Sequence, residues 1–394
     1  MKARTNVIVT LAPKMAVVFV GFLIAGMGMP VLPIQVSRDL GFGTFVIGLI
    51  TGSQFCSSLL TRIWAGDFAD REGPKKAVIA GLSLSAVAGG LYFVSLGSID
   101  YPTLSASVLV AGRGVLGAGE SLIITGSVAW GLASVGPQHA GKVIAWIGTA
   151  MFGALAAGAP IGSGLFAVQG FFAIAAATVL LPLLMAAMVV PLEPAAGRST
   201  PSASKLSVMK AVWLPGLGSA FASLGYGSIL AFSTLLFVSR QWADGWLAVT
   251  GFATALVVSR IFLGHLPDKF GGPLTALVFA IVEAIGLLTM GLATEPTVAL
   301  GGAALVGFGY SLVFPGFGIA AVRAAPAESR GMAMGLYSAC LDVALAISGP
   351  ALGIVGDLAG VPAIFVTTGA MVSLSTLVAL SIIGKDRSML DGRR

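Results

Sequence analysis

Apolar runs long enough to cross a bilayer follow one another along almost the whole chain, broken by short polar loops. A helix rises about 1.5 Å per residue, so roughly 20 mostly apolar residues cover the hydrocarbon core. Twelve stretches reach that length: residues 11–36, 44–65, 76–96, 102–134, 141–168, 170–192, 212–238, 246–263, 273–293, 296–321, 331–355 and 361–383. The fourth is longer than a straight crossing needs, which implies tilt or protrusion. The pattern predicts an all-α membrane protein of twelve transmembrane helices.

Between the sixth and seventh runs the chain turns polar at Glu193-Pro194-Ala195-Ala196-Gly197-Arg198-Ser199-Thr200-Pro201-Ser202-Ala203-Ser204-Lys205. A stretch rich in Pro, Ser and Ala reads as a linker. It divides the chain into an N-terminal six-helix bundle (1–193), a cytoplasmic linker (194–210) and a C-terminal six-helix bundle (211–394). The halves are related. Gly66-Asp67-Phe68-Ala69-Asp70-Arg71-Glu72-Gly73-Pro74-Lys75-Lys76 recurs in degraded form as Gly264-His265-Leu266-Pro267-Asp268-Lys269-Phe270-Gly271-Gly272, 198 residues later. Each copy has an Arg four residues upstream, Arg62 and Arg260. Independently, Gly117-Ala118-Gly119-Glu120-Ser121-Leu122 aligns with Gly307-Phe308-Gly309-Tyr310-Ser311-Leu312 at an offset of 190, and Gly141/Gly331 and Pro160/Pro350 keep that offset. Two pseudo-symmetric bundles in parallel orientation are the arrangement of secondary transporters that rock about a site near mid-membrane.

Composition agrees with a bilayer protein: 57% of residues are hydrophobic and only 10% charged. The 54 glycines suit helices that must approach closely where lipid supplies no hydrophobic drive between them. The net charge of +6 is a matter of orientation. Of 22 Lys and Arg, Arg38 and Arg240 fall on one side and Arg113 inside a span, which leaves 19 on the other. That excess marks the cytoplasmic side and puts both termini there. It also accounts for the basicity without any nucleic-acid partner. Cys56 and Cys340 lie inside spans and read as small packing residues, not a disulfide framework. The N-terminal run is too long for a cleaved leader and reads as a retained first helix.

The loop between the second and third spans resembles the signature of the major facilitator superfamily, G-x-L-a-D-r-x-G-r-k, at Gly66, Asp70, Arg71, Gly73 and Lys75; Phe68 and Pro74 depart from it. The resemblance extends over essentially the whole chain. It implies that Asp70 docks on the eleventh helix and stabilises an outward-open form. Glycines permit the tight turn, and a breakable ion-pair cluster at the cytoplasmic rim gives a bistable latch. The second copy contributes Asp268 and Lys269. It has Pro273 and Leu274 where the first has Lys75 and Lys76, so the main latch is expected in the N-terminal half. The fifth span, with Gly158, Pro160 and Gly162, resembles the superfamily's antiporter signature, with Ala159 interrupting it. The fourth, with Arg113 and Gly117, resembles a signature whose Arg has been linked to proton transfer.

Charge inside a span costs several kcal/mol and must be paired, wet or protonated. Glu120 follows Arg113 by two turns, about 10 Å along the axis at roughly 1.5 Å per residue, close enough for each to influence the other's charge. Asp342 and Glu283 lie in the eleventh and ninth spans. The helix roles implied by the resemblance rank Glu120 first, Asp342 second and Glu283 third for proton coupling. Gln35, Gln54, Trp130, Tyr226, Tyr310, Phe314 and Phe317 are the cavity candidates. Tyr310 occupies the duplicated position of Glu120 and is expected to face it across the pseudo-symmetric centre.

An enzyme is disfavoured: the sequence has no His-Glu-x-x-His and no Walker loop. Its two histidines, His139 and His265, are too isolated to build a metal site, and no cofactor is expected. A sensor or scaffold would need an added soluble domain. The resemblance is closest to bacterial drug:proton antiporters and sugar-efflux-permease-like exporters. It implies a monomer in the bacterial inner membrane that exports a small organic molecule against protons by alternating access. Uptake by symport or facilitated diffusion is the alternative.

Overall fold

Few positions in these runs favour anything but a helix, because a bilayer leaves backbone N–H and C=O groups no partner except each other. The computed structural model describes residues 7–136, 139–194, 205–325 and 330–391. Its helices are α1 (Val7–Ile34), continued by a π-helical turn (Gln35–Asp39), α2 (Thr44–Glu72), α3 (Pro74–Gly97), α4 (Pro102–Val135), α5 (Ala140–Gln169), α6 (Phe171–Val189), α7 (Lys205–Ser239), α8 (Trp246–Leu263), a short α9 (Leu266–Phe270), α10 (Gly272–Leu292), α11 (Pro296–Ala324), α12 (Arg330–Ala359) and α13 (Val361–Asp391). Among the described residues, 12 helices are long and apolar enough to cross a membrane, and they match the predicted spans to within a few residues. The exception by length is α9, a turn inside the second copy of the duplicated loop. Of the linker expected at 194–210, residues 195–204 lie outside the described residues.

Helix boundaries repeat with the duplication. Gly73 and Gly271 adopt φ of 97° and 92° at the starts of α3 and α10, a left-handed conformation that side chains disfavour. Each is followed closely by a Pro in the first turn, where no N–H is missed. Near the end of α1, Pro30 and Pro33 remove backbone donors just ahead of the π-helical turn.

The chain forms two units, Met1–Phe42 with Leu49–Thr200, and Gly43–Gly48 with Pro201–Arg394. In the first, α3 packs on α4 and α6, and α1 on α5. In the second, α10 packs on α11 and α13, α7 on α12 and α13, and α8 on α11. The second unit includes the first turn of α2. There Asp357 accepts hydrogen bonds from Thr44 N (2.7 Å), Thr44 Oγ1 (2.6 Å) and Phe45 N (3.1 Å). Those backbone donors have no partner within their own helix, and a carboxylate at a helix N-terminus also meets the positive end of its dipole. Outer faces carry the exposed apolar side chains expected against lipid, among them Leu60, Val168, Leu184 and Leu358. Cys56 is exposed on α2 and Cys340 half-buried on α12, so the expectation that both cysteines pack inside is corrected for Cys56.

Candidate functional site

On α4, Arg113 and Glu120 share one face and are 1% and 5% exposed. Small residues let a second helix reach them. A Cβ added at Gly117 would overlap the Gln54 carbonyl oxygen, so the α2 backbone lies directly on α4 and delivers the Gln54 side chain. Gln54 Nε2 donates to Glu120 Oε2 at 2.6 Å. Glu120 Oε1 and Gln54 Oε1 have no hydrogen-bond partner. Arg113 does not bridge to the acid. Its Nη2 reaches Met29 Sδ at 3.7 Å, while Nε and Nη1 are without hydrogen-bond partners and Tyr92 lies within electrostatic reach. The arrangement is an acid held at one oxygen only, with a buried positive charge two turns away. Such a carboxyl can take up and release a proton without dismantling a salt bridge.

The second unit repeats this architecture with different chemistry. A Cβ at Gly307 would overlap the Phe252 carbonyl oxygen, as one at Gly117 would overlap that of Gln54. Phe252 therefore stands in the place of Gln54, and Tyr310 in that of Glu120. The Tyr310 ring stacks on Tyr226 at 5.3 Å and 2°, and lies 6.5 Å from Phe252. Its hydroxyl is 3.4 Å from Ser223 Oγ. Asp342, 3% exposed, and Arg260 both act electrostatically on Tyr310. Arg260 Nη2 also donates to the Ser311 carbonyl at 3.2 Å. Phe314 packs on Tyr337 at 4.9 Å, and Phe317 is buried against Gly218.

The remaining candidates do not gather at one place. Gln35 is buried in the π-helical turn after α1. Trp130 is buried with the Lys14 ammonium 4.8 Å from its ring centroid, and Lys14 donates to the Thr10 carbonyl at 3.0 Å. Lys14, which in the sequence counts only as a basic helix end, is thus a buried cation on an aromatic face, an attractive pairing in itself. The only signal for it is a Lys following an apolar turn; its aromatic partner is 116 residues away.

In the duplicated loop, charges pair with near neighbours. Asp70 is exposed. Arg71 bridges Asp67 at 3.0 Å, and Lys76 bridges Glu72 at 2.8 Å, which holds the Glu72 carboxyl below its usual range. Lys75 donates to the Val190 carbonyl at 2.6 Å and to that of Leu192, just past the end of α6. In the second copy, Lys269 lies over the Phe270 ring at 5.1 Å, and Asp268 lies in the single turn of the short α9. On α5, Gly158 and Gly162 are packing positions: added Cβ atoms would meet Gly26 Cα at 2.8 Å and Met27 Cα at 2.6 Å on α1. Pro160 lies inside the helix between them.

Comparison with known proteins agrees with this architecture. The profile described as Major Facilitator Superfamily matches residues 15–248 and 216–391. An uncharacterized MFS-type transporter of Salmonella typhimurium is 37% identical over 94% of this chain and 95% of its own. One from Pseudomonas aeruginosa is 39% identical over 99% and 96%. Among solved structures, a bacterial homolog of the human lysosomal transporter Spinster, inward-facing and unoccupied, has a TM-score of 0.71 at 12% identity, covering 96% of each chain. The E. coli fucose:proton symporter has a TM-score of 0.62 at 16% identity, covering 96% of this chain and 99% of its own. With twelve spans, a duplicated architecture and these relatives, the chain belongs to the major facilitator superfamily of membrane transporters.

Proposed function

We propose that this transporter is a proton-coupled exporter of a small organic molecule, working by alternating access in the bacterial inner membrane with both termini cytoplasmic. One observation carries the reading: Glu120 is a buried carboxyl with a single hydrogen bond, from Gln54, and one oxygen without a partner. A group so placed binds a proton and a cationic or polar substrate in competition, because protonation removes the charge that would hold the substrate. Arg113, two turns away, is the positive charge that faces the carboxylate left behind when the proton departs. Asp342 beside Tyr310 is the second acid of the scheme. The substrate is a neutral or cationic amphiphile, since the polar groups around Glu120 are an amide, an aromatic hydroxyl and one Arg.

Export is favoured by the glycine-spaced, proline-containing α5. Uptake by proton symport is the second reading, because the fucose:proton symporter shares the fold. A resistance screen separates the two. Cells overproducing the protein should tolerate amphiphilic cations such as ethidium and accumulate less of them, and Glu120→Gln should abolish both effects. Increased accumulation in overproducing cells would establish uptake instead.

A further inference from the structure

The ninth span, α10, carries a carboxyl that the scheme above leaves idle. Glu283 is 0% exposed, and neither of its oxygens has a hydrogen-bond partner. It sits where three helices meet. Its main chain lies against Gly309 of α11, where an added Cβ would come within 2.5 Å of Glu283 N. Its Oε1 lies on the α7 backbone at Gly225, where any Cβ would overlap it.

The internal duplication shows what a structural side chain at this position looks like. In the first unit a Cβ added at Gly119 would meet the Gly81 carbonyl at 2.7 Å and Ser85 Oγ at 2.9 Å. In the second, one at Gly309 would meet the Phe279 carbonyl at 2.7 Å and Glu283. The offsets are those of the sequence repeats, so Glu283 is the counterpart of Ser85. Ser85 satisfies itself by donating to the Gly81 carbonyl at 3.0 Å. The architecture thus closes with a small neutral residue in one unit, and the other installs an acid without a hydrogen bond at the same point. An unsatisfied buried polar group costs about 1–3 kcal/mol, more if charged, and calls for a reason other than packing.

The surroundings offer it no counter-ion by hydrogen bond. Of the helices packed on α10, α11 presents the Tyr310 phenol within electrostatic reach. The α7 helix presents main chain at Gly225, while its Ser223 and Tyr226 contact Tyr310. The α13 helix has no charged residue before Lys385. Asp268 and Lys269 of α9 belong to the loop that opens α10. Arg260 and Asp342 complete the charged groups around Tyr310.

We infer that Glu283 is a second proton-binding site, in the C-terminal unit, which exchanges its proton with water as the transporter operates. The assignment does not rest on Glu120 being the coupling carboxyl. Oε1 lies against the α7 main chain at Gly225, with the Leu287 side chain close by, so α7 is the element whose displacement bears most directly on access to the acid. Infrared spectra of the purified protein in lipid, in H2O and D2O, test this without knowledge of the substrate. A protonated-carboxyl C=O band is expected that moves to lower frequency in D2O, is lost in Glu283→Gln and Glu283→Ser, and persists in Glu120→Gln. The Ser variant, which copies the first unit's own solution at Ser85, secures the measurement if the Gln variant folds poorly. A spectrum unchanged by loss of Glu283 would overturn the site. A band that depends on Glu283 but does not shift in D2O would overturn exchange.

Discussion

Glu120 and Gln54 show how far single residues can be read from the chain. Both stand out as polar positions in apolar spans, yet nothing in the spacing pairs residues 66 apart on different helices. The pairing follows from Gly117, which lets the α2 backbone touch α4. Glu283 ranks last in the sequence because its span is peripheral by resemblance; an apolar stretch does not tell which face of a helix meets protein and which meets lipid. The Glu120–Gln54 pair makes a specific prediction. Gln54→Leu leaves both Glu120 oxygens without a partner and should lower stability by about 1–3 kcal/mol, the cost of an unsatisfied buried acceptor. Glu120→Gln keeps an acceptor for Gln54 and should cost less. Thermal unfolding of the two single variants and the double variant measures the coupling, and additive losses would mean that the hydrogen bond carries no energy.

At the scale of helices, existence and length are legible because about 20 apolar residues have few other fates. Contacts between helices are legible only where glycines stand in duplicated positions. Gly117 and Gly307 each sit on a neighbouring carbonyl oxygen, of Gln54 and Phe252. Val at either position should therefore be destabilising by about 1–3 kcal/mol or prevent folding, as read by thermal unfolding and yield of folded protein. Val at Gly141, where an added Cβ would have nothing within 4 Å, should change neither. The duplicated loop predicts an asymmetry of function. The first copy is braced by Lys75 on the carbonyls of Val190 and Leu192, and by ion pairs from Arg71 and Lys76. The second has Pro273 and Leu274 in place of the two lysines. Asp70→Asn should impair transport more than Asp268→Asn at equal expression; the reverse order would remove the N-terminal loop as the main latch.

For the molecule as a whole, the duplication is both the most legible property and the most informative about function. Offsets of 198 and 190 residues align the loops, the close contacts at Gly117 and Gly307, and the positions of Glu120 and Tyr310. The backbone plan is thus the same in both units. The chemistry is not: a carboxyl and an amide in one, stacked tyrosines in the other, with Glu283 where the first unit has Ser85. Under the proposed function, proton coupling belongs first to the N-terminal unit. Proton movement in sealed proteoliposomes, driven by a gradient of a compound from the resistance screen, addresses it most directly. Wild-type protein should move protons opposite to the compound, and Glu120→Gln should carry the compound down its gradient with no proton flux. Proton flux in Glu120→Gln equal to wild type would contradict the account.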